Sequence, residues 1–246
     1  MKPKRIILVR HGQSEADVDH TIFSRKPDSD HELTNEGHRQ AHEAGRNIAS
    51  LLKEDKFGVF VSPYKRTIQT KNDILLELAS KPAFVFQDPR LREQDYGAFP
   101  TKEDSKSNRE TRFKYGRFFY RFPGGESCAD VYDRLSSFFE TLHRYFQRDD
   151  CPENIIIIFH STAIKCFLFR WYHWNVRFFE IMPSYPPNGH IIVMEKPEGS
   201  SQYAVSEPFK LYYRFYPNVF ADCCIACSEA SACPWVRPPV IPASFA

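Results

Sequence analysis

The sequence predicts an α/β chain, a three-layer α/β/α sandwich built round a doubly wound, mostly parallel sheet. Three observations carry that expectation. Short apolar runs at residues 6–9, 57–61 and 155–159 read as strands buried on both faces. Between them, apolar residues recur at helical spacing. A histidine stands at the end of the first and of the last run, His11 and His160. That is where ligands bind in open parallel sheets.

The elements follow in order. Residues 5–9 form a central strand closed by a turn at Gly12. Thr34 can cap a helix over about 36–53 that places Ala41, Ala44, Ile48, Leu51 and Leu52 on one side. After the strand at 57–61, Ser62-Pro63 reads as a helix cap with proline in the first helical position, opening a helix to about residue 78. Residues 83–86 give a third strand. Residues 100–122 break the alternation, first polar and basic, then aromatic through Phe118, Phe119, Tyr120 and Phe122, and such an insertion is expected to be a cap over the sheet. Pro123-Gly124-Gly125 marks a turn, and Ser127 with Asp130 a capping pair for a helix through about residue 147. Residues 155–159 supply the central strand, a helix over about 162–172 follows, and 190–194 is expected at the sheet edge. Beyond about 214 the periodicity fades. The expected organisation is one domain over 1–213, with a cap insertion at about 100–122, and a Cys- and Pro-rich tail over 214–246.

Composition narrows the function. The 246 residues are 42% hydrophobic, enough for a sizeable core, and the 33 basic and 31 acidic side chains leave a net charge of +2. Neither a nucleic-acid partner nor a membrane surface is indicated by that balance. Glu103, Asp104 and Glu110 dilute the basic stretch from Lys102 to Arg121, which suits a substrate cap better than a nucleic-acid face. The apolar run near the N-terminus is too short for a signal peptide, and no run of about 18 apolar residues occurs. Seven cysteines, an odd number without framework spacing, suggest a reduced, cytoplasmic chain. Cys223, Cys224, Cys227 and Cys233 in the tail are read as part of a disordered appendage; a zinc site and lipidation, which alone would bring a membrane into play, are the alternatives. His38 and His42, four apart, have a spacing that can bind zinc but no third ligand, so a solvated helix face is expected.

Chemistry concentrates at the two strand-end histidines. Arg10 precedes His11, and Arg66 falls in the first turn of the helix after the second strand, where the helix N-terminus favours an anion. Guanidinium forks suit phosphate oxygens. Two arginines and two histidines around one anion point to phosphate rather than metal chemistry. Ser161 and Cys166 lack the context of a hydrolase nucleophile.

In these motifs the chain resembles the histidine phosphatase superfamily, in the phosphoglycerate mutase-like branch, and within it the small eukaryotic phosphoglycerate mutase-like phosphatases. The matching pieces are Leu8-Val9-Arg10-His11-Gly12-Gln13-Ser14, Leu33-Thr34-Asn35-Glu36-Gly37, Ser62 to Thr70 with Arg66, Leu91-Arg92-Glu93 with Tyr96-Gly97, Gly125-Glu126-Ser127 and His160, in family order over roughly residues 1–200. The resemblance implies the phosphoglycerate mutase-like fold and a phosphomonoesterase that needs neither metal nor cofactor. It implies His11 as the nucleophile that becomes phosphohistidine. Arg10, Arg66 and His160 would hold the phosphoryl oxygens. Glu93 would donate a proton to the leaving alcohol, for which its pKa should be raised by burial. Substrates would be small phosphorylated metabolites or phosphoproteins, selected by the cap.

Two positions depart from the family pattern. Asp17 stands six residues after the nucleophile, where the family usually has a phosphate-binding Asn, and a carboxylate there should weaken anion binding. Ser161 follows His160 where the family usually has Gly; its hydroxyl can donate to the anion, or its side chain can crowd the backbone. The family's mutases carry a Trp just after the nucleophile motif, and this chain's three Trp lie at 171, 174 and 235, which favours a phosphatase. A phosphomutase is the alternative within the family. A catalytically weakened phosphate-binding or scaffold protein is the alternative outside catalysis.

Overall fold

A computed structural model of the chain describes residues 3–97, 102–181, 186–197, 199–200 and 202–205. The tail over 214–246, with its four cysteines, lies outside the described residues. The strands are β1 (Arg5–Arg10), β2 (Phe57–Val61), β3 (Val85–Gln87), β4 (Asn154–Phe159), β5 (Ile191–Glu195) and β6 (Ala204–Val205). They form one sheet in the order β3-β2-β4-β1-β5-β6. Strands β3, β2, β4 and β1 run parallel; β5 is antiparallel to β1, and β6 to β5. The helices are α1 (Glu15–Val18), α2 (Asn35–Leu52), α3 (Lys65–Leu76), α4 (Lys102–Tyr115), α5 (Cys128–Phe146), α6 (Ser161–Trp171) and α7 (Val176–Ile181). Among the described residues no helix is long and apolar enough to cross a membrane.

The layers follow from strand periodicity. Side chains alternate across a strand, so Ile7, Val9, Val59, Val61, Ile156 and Ile158 share one face of the sheet. There they meet Ala44, Ile48 and Leu52 of α2 and Ile74 of α3. Ile6, Leu8, Phe60, Ile155, Ile157 and Phe159 share the other face, against Leu135, Phe138 and Phe139 of α5 and Ile164 and Phe167 of α6. Both faces of β1, β2 and β4 are thereby covered, which is why these runs are continuously apolar. This is the three-layer sandwich that the sequence predicts.

Several boundaries differ from the sequence reading. Strand β3 starts at Val85 rather than 83, although Ala83 N already donates to Phe57 O and Val59 N to Phe84 O. Strand β5 is not the edge, because β6 pairs with its outer side. Ser62 does not cap α3: Tyr64 is the N-cap residue, the helix begins at Lys65, and Pro63 lies before it. Thr34 and Ser127 do cap as expected, accepting from Gly37 N and Asp130 N. His38 and His42 are occupied by carboxylates of α3, with Asp73 at 2.6 Å and Glu77 at 2.7 Å, so they clamp α2 to α3. No group of three potential metal ligands occurs among the described residues.

In the 100–122 segment, α4 is followed by a chain whose Phe118, Tyr120 and Phe122 are buried. Phe118 sits edge-on to Phe169 and Phe179, each 5.1 Å away. Glu180 of α7 accepts from the backbone N–H groups of Arg117 and Phe118, both at 2.8 Å, and so fixes the base of this segment.

Candidate active site

Strands β1 and β4 are parallel neighbours with Arg10 opposite Phe159. The next residues, His11 and His160, therefore emerge side by side. Their rings are 5.2 Å apart at 62°, and His11 N donates to Phe159 O at 3.1 Å. From β1 the chain goes to α2 on one face of the sheet, and from β4 to α6 on the other. Loops that part in opposite directions open a crevice at the strand ends.

The His11 ring is 4% exposed, and its Nδ1 lies 2.7 Å from Gly12 O. A carbonyl oxygen only accepts, so Nδ1 carries the proton and Nε2 keeps its lone pair. Burial, with the charges of Arg66 and Arg10, pulls the His11 pKa down to about 3. The ring is neutral throughout the physiological range. His160 is fully buried, and burial and Arg66 hold its pKa well below the ordinary value. Its Nε2 meets Ser62 Oγ at 2.8 Å, while among the described residues its buried Nδ1 has no hydrogen-bond partner. A buried nitrogen left so costs free energy that a ligand oxygen would offset.

Each arginine is held by an aspartate. Arg10 Nη2 donates to Asp17 Oδ1 at 3.0 Å, and its Nη1 to Pro186 O at 2.9 Å. Arg66 Nη1 donates to Asp28 O at 2.6 Å and to Asp28 Oδ1 at 2.8 Å. The Arg66 guanidinium also lies 4.9 Å over the Tyr64 ring, which stands edge-on to His160 at 5.0 Å. Thr70, one turn along α3 from Arg66, accepts from Gly12 N at 3.1 Å and donates to Arg66 O at 2.8 Å. It ties the nucleophile loop to the helix that carries the second arginine.

Glu93 is buried at the N-terminus of α6. Its Oε2 accepts from Ser161 Oγ and Thr162 N, both at 3.1 Å, and its Oε1 from Ala163 N at 3.2 Å and Gln94 N at 2.9 Å. Burial outweighs these donors and raises its pKa above the ordinary glutamate value. Arg134 of α5 fixes the backbone behind it, donating to Arg90 O at 2.5 Å and Glu93 O at 3.0 Å, and Glu126 pairs with both Arg134 and Arg92.

The sequence pattern of the histidine phosphatase superfamily (branch 1) matches residues 6–205. The chain belongs to the histidine phosphatase superfamily. Among curated relatives it is 40% identical over 210 residues to the phosphoglycerate mutase-like protein AT74 of Arabidopsis thaliana, a match covering 80% of this chain and 66% of that protein. It is 27% identical to the broad-range acid phosphatase DET1 of Saccharomyces cerevisiae, over 83% of this chain and 89% of that one. Among solved structures, mycobacterial glucosyl-3-phosphoglycerate phosphatase superposes with a TM-score of 0.64 at 19% identity, over 82% of this chain and 97% of that one, which shows the shared fold.

Read as a histidine phosphatase, the chain brings Arg10, His11, Arg66, Glu93, His160 and Asp17 to one end of the sheet. Ser161, for which the sequence left an anion contact or crowding of the backbone open, has its hydroxyl donating to Glu93. Cys166 is buried in α6 with its Sγ 3.7 Å from Cys128 O, and burial pushes its thiol well above the usual range, which removes it as a nucleophile. Four residues escaped the sequence reading. Ser62 had a signal, since Val61 pairs with Ile158 and Ser62 N bonds Ile158 O, so aligning the strand ends sets it beside His160. Thr70 had the four-residue spacing from Arg66 along one helix face. Asp28 and Tyr64 had none.

Two family motifs also prove to be one contact. A Cβ on Gly37 would stand 2.0 Å from Gln13 O, and one on Gly12 2.2 Å from Gly37 O. The start of α2 and the nucleophile loop touch backbone to backbone. Alanine at 37 gains about 1 kcal/mol in helix propensity, but the clash with a backbone oxygen is the larger effect. Gly37→Ala is expected to cost about 1–3 kcal/mol, read as a lower Tm with weakened activity.

Proposed function

We propose that this chain is a phosphomonoesterase that passes the phosphoryl group through His11 and is active without a metal. The observation that carries the reading is the His11 tautomer: Nδ1 tied to Gly12 O leaves a neutral Nε2 lone pair beside Arg10 and Arg66. Nε2 attacks phosphorus and the ester P–O bond breaks. Glu93, whose pKa is raised by burial, gives its proton to the leaving oxygen. Arg10, Arg66 and His160 stabilise the charge on the equatorial oxygens. Water then attacks phosphorus and the P–N bond breaks, Glu93 accepts the proton of the water, and neutral His11 is restored.

Ser62 fits this scheme as an orienting group. If its hydroxyl donates to His160 Nε2, the ring proton sits on Nδ1, the atom with no partner among the described residues, and becomes a donor to the phosphoryl group. Ser62→Ala is expected to lower kcat/KM about tenfold, the value of one hydrogen bond of about 1.4 kcal/mol, with a near-native Tm. An unchanged kcat/KM would remove Ser62 from the scheme.

Phosphorylated metabolites or phosphoproteins are the substrate class, and the cytoplasm the location; the acid phosphatase among the relatives supports the hydrolytic reading. The same reading takes 1–213 as one domain with the segment at about 100–122 as its cap. A screen of p-nitrophenyl phosphate, sugar phosphates, bisphosphoglycerate and phosphopeptides tests the activity. Incubation with 3-phosphoglycerate and catalytic 2,3-bisphosphoglycerate should release phosphate. Formation of 2-phosphoglycerate would instead mark a mutase.

A further inference from the structure

Around His11 the two arginines are matched by two aspartates, while both histidines are neutral. The aspartates differ in their placing. Asp28 grips the Arg66 fork through Nη1 and Nη2, and Nε of that arginine has no hydrogen-bond partner among the described residues, so it can turn to an anion. Asp17 stands on the nucleophile side. Its Oδ1 accepts from Arg10, and its Oδ2 from Ser14 N at 2.8 Å, Ser14 Oγ at 2.7 Å and Asn188 Nδ2 at 3.2 Å. Asn188 lies on the loop whose next residue, Gly189, donates its N–H to His11 O at 3.0 Å. Asp17 is thus fixed from three elements, beside the arginine that precedes the nucleophile, and cannot swing away without losing four donors.

We propose that Asp17 makes this pocket selective for the monoanion of a phosphomonoester over the dianion. Only the name of the anion rests on the phosphatase reading. Two physical reasons carry the inference. Coulomb energy scales with ligand charge, so a fixed carboxylate repels a dianion twice as strongly as a monoanion at the same distance; Asp17 thereby offsets the equally doubled attraction of Arg10, as Asp28 does for Arg66, and little Coulomb preference for the dianion is left. A monoanion also carries one more P–OH group able to donate to a carboxylate than the dianion of the same phosphate, whether ester or inorganic phosphate. Affinity should therefore fall as the phosphate loses its second proton, at about pH 6 for a monoester. Asp17 itself stays ionised across that range: burial pushes its carboxyl up, but the two donors of Ser14 and the charge of Arg10 hold it below the ordinary value. Other charged groups nearby are paired or remote from the change. Glu15 on the same helix binds Lys26 at 2.7 Å. His190, whose carbonyl accepts from Arg10 N, has its pKa lowered by burial. Glu93, on the α6 side, and His31, whose Nδ1 lies 3.3 Å from Asp28 Oδ1, are the groups among the described residues whose titration could imitate the effect; His31 is common to both proteins compared below.

The test is calorimetric binding of inorganic phosphate to the full chain at about pH 5.5 and about pH 8, in a Glu93→Gln background and in the same background with Asp17→Asn. With Asp17 present, affinity is expected to fall about tenfold across the interval. In the Asp17→Asn protein the fall is expected to vanish or reverse, because the amide keeps an acceptor for Ser14 N and removes the charge. Equal slopes with and without the carboxylate would overturn the proposal, as would flat binding in the Glu93→Gln protein alone. The second result decides the matter even if the Asp17 variant fails to fold. Binding needs no turnover. A protein that binds phosphate with this profile but hydrolyses no ester contradicts the phosphatase reading only, and one that hydrolyses esters while binding phosphate with a flat profile contradicts this inference only.

Discussion

Replacing His11 with alanine is expected to reduce kcat by about 10⁴-fold or more, with little change in Tm. The size follows from the role. In the proposed scheme the ring supplies the electron pair that forms the new bond, and no neighbour can substitute. His160 is the nearest candidate, but its Nε2 is engaged with Ser62. The small stability cost follows from the setting: the His11 side chain contributes one local hydrogen bond, to the adjacent Gly12 carbonyl. Its buried, neutral ring is placed to react rather than to pack. Steady-state turnover of p-nitrophenyl phosphate, with thermal melts run in parallel, measures both quantities. Activity retained within about tenfold would mean that His11 is not the nucleophile.

Replacing Glu93 with glutamine is expected to separate leaving groups. An alkoxide is a poor leaving group and needs the proton, so alkyl phosphates should slow by about 10²–10⁴-fold. An aryl oxide needs less help, and p-nitrophenyl phosphate should slow by about tenfold or less. The pH profile supplies an independent check. In the proposed scheme the acting form is the protonated acid, and burial raises its pKa in the folded chain. Activity on alkyl esters is therefore full below that raised pKa and is lost as pH rises through it, above the ordinary glutamate value of about 4.3. The glutamine variant should lose this descending limb. Equal losses on both ester types, with the limb intact, would assign Glu93 a purely structural place at the start of α6.

How far the sequence carried can be traced through particular residues. Strands β1, β2 and β4 were legible because burial on both faces demands unbroken apolar runs, and a run such as Ile155-Ile156-Ile157-Ile158-Phe159 admits few other readings. That legibility extended to His11 and His160, since the end of a buried strand is fixed by where its apolar run stops. Strand β3 was harder to bound: all three of its residues are exposed, so burial left no pattern to read. Ser62 was misread because Ser-Pro carries a strong local capping signal. Its hydroxyl instead answers to His160, a neighbour supplied by the sheet and nearly a hundred positions away. The hydroxyl of Ser161 likewise finds its partner, Glu93, on another segment. The Asp28–Arg66 pair joins a short turn to a helix across the crevice, a relation that neither periodicity nor spacing encodes. Asp17 was noticed from its position in the motif, but its four donors come from three separate elements. Only the fold shows that it is held in place beside Arg10.

The central claim is that a phosphoryl group rests covalently on His11. Rapid mixing of the full chain with a phosphomonoester, alkaline quench to preserve the P–N bond, and peptide mapping by mass spectrometry address it directly. The account predicts a phosphorylated peptide spanning residues 5–25, with the modification on His11 and absent from the His11→Ala protein. Turnover with no phosphohistidine at any quench time, or a label on His160 instead, would contradict it.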